Sequence, residues 1–75
     1  MLRLRAFNGF ISMPQLTEEW IQNNPSFSVY KDDLQIGRLS IENNTLYKEV
    51  FEESEVEWLD ALIKDLIVMF PTLVL

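Results

Sequence analysis

Val56, Leu59, Ile63, Leu66 and Phe70 recur at intervals of 3, 4, 3 and 4 residues, the spacing that places side chains on one face of an α-helix. Leu62 and Met69 widen this stripe on one side and Ile67 on the other, so at 100° per residue it covers about 160°. That is broader than the seam between two helices requires. Ser54 and Glu57 stand at capping-box spacing just ahead of the stripe and mark where the helix is expected to begin.

The strands to meet that helix are legible upstream. "FSVYK", "LQIGRLSI" and "TLYKEVF" are separated by Asp32-Asp33 and Asn43-Asn44, a pattern that reads as a three-stranded antiparallel meander. Within the middle segment Leu34 and Ile36 share one parity, and Leu39 and Ile41 the other. A β-bulge at Gly37-Arg38 would bring all four aliphatics to one face. The third strand leaves two options, with either Leu46 and Val50 or Tyr47 and Phe51 turned inward. At the start of the chain, Leu2, Leu4 and Ala6 alternate with Arg3, Arg5 and Phe7 as in a half-buried strand. Asn8-Gly9 suits a type I′ hairpin turn, and whether a return strand follows it stays open.

Between these regions, Ser12 and Gln15 form another capping-box spacing, with Pro14 acceptable in a first helical turn. A short helix is expected from Met13 or Pro14 to Asn23, its apolar side made of Met13, Leu16, Trp20 and Ile21; Asn24-Pro25 ends it. The expected fold class is therefore α+β, in one domain spanning 1–75. A small antiparallel sheet of three to five strands carries two helices packed on one face, in the order β(β)-α-β-β-β-α, with a C-terminal strand left as an option.

Seventy-five residues bury only roughly 60 to 65% of the surface that the unfolded chain exposes, so packing or oligomerisation has to supply stability. The chain holds neither cysteine nor histidine. That removes disulfides, thiolate zinc sites, Ser-His-Asp and Cys-His nucleophiles and the commonest general base. No phosphate-binding glycine loop and no calcium-loop spacing is present, and a chain this short leaves little wall for a substrate cleft. The expectation is a protein without enzymatic activity, with no cofactor and no metal. Arg3 and Arg5 interrupt the first residues, and Pro71 interrupts the short apolar end, so neither a secretory signal nor a membrane anchor is expected; the reading is cytoplasmic.

Two surfaces remain as candidates. The block "EVFEESEVEWLD" gathers Glu49, Glu52, Glu53, Glu55, Glu57 and Asp60 around Trp58. Glu55 and Glu57 are accounted for by the helix dipole, which favours negative charge at an N-terminus; Glu49, Glu52 and Glu53 precede the cap and are not. An acidic patch of this kind suits a protein partner with a basic surface, and Trp58 supplies an amphipathic contact. Alternatively, Trp58 folds over the edge of the sheet. Direct nucleic-acid binding is disfavoured by a net charge of −6, although Arg3, Arg5 and Phe7 share one face of the first strand.

The second surface is the end, "KDLIVMFPTLVL". Val68 points about 180° away from Leu59, which makes the last helical turn apolar all round. Either the tail after Pro71 returns to the sheet as a strand, beside the first one for example, and covers Val68 from within, or a second copy covers it. The second option names Ile67, Val68, Phe70, Leu73 and Leu75 as a homodimer interface. The functional expectation is a non-catalytic interaction domain of the small acidic inhibitor or regulatory accessory type encoded by phages and mobile elements. The alternative is a structural subunit of a homo-oligomer or larger assembly.

Overall fold

The computed structural model describes residues 2–7 and 9–74 of the 75. Its element order is β1 (Leu2–Ala6), β2 (Gly9–Ser12), α1 (Glu18–Asn23), β3 (Ser26–Lys31), β4 (Leu34–Glu42), β5 (Thr45–Val50) and α2 (Val56–Met69). A 3-10 turn precedes each helix, at Met13–Gln15 and at Glu53–Glu55. The five strands form one antiparallel sheet in the order β2-β1-β3-β4-β5. The fold is α+β, with the sheet at the upper end of the expected strand number. Only one long helix packs on it; α1 is six residues, and two packed helices do not describe the molecule.

Local chemistry explains the turns. Asn43 and Asn44 both have positive φ, 52° and 63°, the demand of a type I′ hairpin that asparagine tolerates. Asp32 takes φ 55° in the preceding turn. The first hairpin does form, but Gly9 pairs with Ala6 and so belongs to β2 rather than to the turn. Asn8 itself lies outside the described residues.

The expected helix from Pro14 to Asn23 is interrupted. Gln15 Oε1 accepts the Ser12 backbone N–H at 2.8 Å and its hydroxyl at 3.1 Å, which fixes a single 3-10 turn. Leu16 then turns extended and is buried. Thr17 restarts the chain as a new N-cap, its Oγ1 accepting the Trp20 N–H at 3.1 Å. Asn24 closes α1 by donating its side-chain amide to the Trp20 carbonyl at 2.9 Å.

The bulge sits one residue earlier than the parity change suggested. Val29 faces Gly37 and Tyr30 faces Gln35, so the extra residue is Ile36. Its carbonyl instead accepts the Phe51 and Glu52 N–H groups at 3.0 and 3.3 Å, tying the end of β5 to the bulge. Ile36 and Leu39 are fully buried and Ile41 is half-buried, whereas Leu34 stays half exposed. In β5 it is Leu46 and Val50 that turn inward, while Tyr47 and Phe51 are exposed.

The core lies between one face of the sheet and α2. Leu4, Phe27, Val29, Ile36 and Leu39 meet Leu59, Leu62, Ile63 and Leu66 there, with Leu16, Ile21 and Leu73 closing its margins. Gly37 is the point of closest approach. A Cβ at that position would stand 2.5 Å from Leu59 Cδ1 and 2.6 Å from the Glu49 carbonyl oxygen, so the residue must lack one for α2 to seat. The start of α2 also departs from expectation. Ser54 and Glu57 do not cap the helix: Ser54 lies in the 3-10 turn and donates to Glu52 Oε1 at 3.1 Å, and Glu55 occupies the N-cap.

Candidate functional site

The acidic block is divided by its neighbours. Lys31, at the end of β3, extends on the helix-covered side and its Nζ reaches Glu55 Oε2 at 2.9 Å. The Trp58 ring covers the same ammonium at 4.8 Å from its centroid. Asp60 is held by Lys48 of β5 at 3.0 Å. Two of the six carboxylates are therefore occupied within the chain, and Trp58 packs over Lys31 while leaving 43% of its surface exposed.

The remaining carboxylates differ in position. Glu52 is half-buried and accepts from Ser54. Glu53 and Glu57 are exposed and have no basic partner among the described residues. Glu49 lies on the opposite side of the sheet, since Leu46, Lys48 and Val50 take the inward parity of β5. The patch is thus narrower than the sequence block, and centres on Glu53, Glu57 and Trp58. Phe51, 48% exposed, stands on the other side of the 3-10 turn from Trp58. Sequence reasoning passed over Phe51 because its parity in β5 was open. It passed over Lys31 and Lys48 because their partners lie 24 and 12 residues along the chain.

At the other end of α2 the tail does return, but to a different strand. Pro71 and Thr72 form a turn in which the Leu73 N–H donates to the Phe70 carbonyl at 3.0 Å. Val74 makes a single parallel bridge to Thr45: the Leu46 N–H donates to the Val74 carbonyl at 2.7 Å, and the Val74 N–H to the Asn44 carbonyl at 2.8 Å. The tail therefore borders β5, not β1. Leu73 enters the chain's own core, and Ile67 and Phe70 are half-buried against it. Val68 remains uncovered at 80% exposure, with Met69 and Val74 also exposed; Leu75 lies outside the described residues. Beside this end, Lys48, Asp60, Ile63, Lys64 and Ile67 line an open groove of about 460 Å³ between α2 and β5.

No three Asp or Glu residues converge as a metal site among the described residues. No helix among them is long and apolar enough to cross a membrane. No family model, curated protein or solved structure matches the chain, so its surfaces are interpreted from their own geometry.

Proposed function

We propose that this chain is a non-catalytic protein-interaction domain, a small acidic inhibitor or regulatory accessory factor that docks on the basic surface of a larger partner. The observation that carries this reading is Trp58. One face of its ring is held against Lys31, which restrains it without burying it, and Glu57 next to it has no compensating cation among the described residues. A restrained, partly exposed tryptophan beside free carboxylates has the make-up of an interface anchor with an acidic rim. Glu53, also exposed, extends the rim. Affinity capture compared between the natural chain and a Glu53→Lys, Glu57→Lys variant tests it. A basic partner released by rising salt should be retained at least tenfold less by the variant, and Trp58→Ala should weaken it as much or more. Equal retention by all three would return these residues to a purely local role.

A second reading, a homo-oligomer built on the end of α2, is favoured by one specific observation: Val68 stays exposed even though the tail folds back. Val68, Met69 and Val74 are all exposed, and a second copy is one way to cover them. Light scattering should then report a dimer that Val68→Lys converts to monomer. A natural chain that is monomeric at high concentration excludes this reading and leaves the first untouched.

A further inference from the structure

The sheet has a second face, and no element among the described residues covers it. All three arginines of the chain lie on it, while all three lysines lie elsewhere: Lys31 and Lys48 on the helix-covered side and Lys64 on α2. The strand register places Phe10, Arg5, Ser28, Arg38 and Glu49 in one row across the five strands, with Ser12, Arg3, Tyr30 and Gln35 in the next. Arg5 and Arg38 are thus two strand spacings apart, about 10 Å between backbones, with only the short Ser28 side chain between them. The result is a shallow depression of about 370 Å³, bordered by both arginines and by Phe7, Ser28, Tyr30 and Gln35.

These guanidinium groups are positioned by neutral partners. Arg5 Nη1 donates to the Tyr30 hydroxyl at 3.5 Å and its Cζ lies 5.7 Å from the centre of the Phe10 ring, whose edge in turn meets Tyr30. Arg38 Nε donates to Ser26 Oγ at 3.2 Å. Neither makes an ion pair among the described residues: Asp33 takes Arg3, and Glu49, the cross-strand neighbour of Arg38, does not close on it. The face therefore offers two oriented guanidinium forks, Arg5 with no carboxylate beside it in its row and Arg38 with Glu49 directly across but not closed on it, beside hydroxyl and amide groups.

From this arrangement we infer that the open sheet face binds single-stranded nucleic acid, with a phosphate held between Arg5 and Arg38 and a base stacked on Phe7. Guanidinium forks match phosphate oxygens in pairs. Phe7 borders the depression and is fully exposed, which provides the aromatic platform that strand-binding surfaces combine with basic grooves. An acidic peptide would use the arginines but has no need of that ring. The net charge of −6 does not describe this face. Glu18, Glu19, Glu53, Glu57, Asp60 and Asp65 belong to the helices and the turn before α2, and exposed charges are screened over about 8 Å at physiological ionic strength; on the open face itself Glu42 and Glu49 stand against three arginines, of which Arg3 is paired with Asp33.

Fluorescence anisotropy with labelled oligothymidylate and oligouridylate, titrated with the natural chain at low salt, tests this. Binding is expected, with a slope of log affinity against log salt of about −0.7 for the one phosphate held between the two arginines. Arg5→Gln with Arg38→Gln should weaken it tenfold or more, and Phe7→Ala roughly fivefold or more. The Arg5→Lys, Arg38→Lys variant, which keeps the charge and the aliphatic stems, should fall in between. Trp58→Ala should bind like the natural chain, which separates this surface from the acidic one. Absence of binding, unaltered binding by the double glutamine variant with its circular dichroism intact, or equal competition by polyglutamate would each overturn the inference; the last would assign the face to an acidic polypeptide.

Discussion

The two faces of this sheet are made from the same five strands and share almost nothing else. On one, Leu4, Val29, Ile36 and Leu39 are fully buried beneath α2. On the other, arginine, glutamate, serine, tyrosine and glutamine side chains meet solvent, and the contacts are hydrogen bonds and ring contacts. Because side chains alternate along a strand, neighbouring residues answer to different demands: Arg38 and Leu39 differ by one position, yet only the second has to pack. Stability is concentrated on one face, which leaves the composition of the other free to serve recognition.

Mutations of graded severity can break that division. Leu59→Ala, at the centre of the covered face, should cost about 2 to 5 kcal/mol, since it removes buried methyl groups and leaves a cavity against Gly37. For a domain of this size that is a large share of the stability, and urea denaturation should find the midpoint of the variant strongly lowered. Gly37→Ala should cost about 1 to 3 kcal/mol by the opposite route, overpacking, as the added Cβ drives Leu59 and the Glu49 carbonyl apart. The same denaturation measurement checks it, and a neutral result would mean that α2 has room to shift. Tyr47→Ser, on the open face, should change stability by no more than about 0.5 kcal/mol. A loss comparable to that of Gly37→Ala would show that the open face also holds the fold together.

What could be read from the sequence follows the range of the interactions concerned. The meander was legible because Asp32-Asp33 and Asn43-Asn44 carry their own turn chemistry, and α2 because its apolar stripe is a property of one segment. The broken first helix was misread where two local signals compete: Pro14 and Gln15 support a turn from Ser12, but Thr17 followed by Glu18 and Glu19 is a second N-cap signature that restarts the helix. The position of the bulge depends on which β3 residue faces Gly37, a matter of register between strands. The acidic block is the plainest case of lost information. Nothing within it distinguishes Glu55 and Asp60, which meet lysines from β3 and β5, from Glu53 and Glu57, which do not. The three arginines of the open face could be gathered only through the pairing of β1, β3 and β4.

The strand order also sets a sequence in time. β3, β4 and β5 are joined by two-residue turns, so their pairing closes small loops; β1 must instead reach β3 across the whole of β2 and α1. Ordering the chain over that longer loop costs more entropy before any contact repays it, so the meander and α2 are the part that assembles early and β1 docks late. Arg5 arrives with β1, whereas Arg38 is already in place. The depression between them is therefore completed by the final pairing step, and a transient release of β1 dismantles the site while leaving most of the core standing.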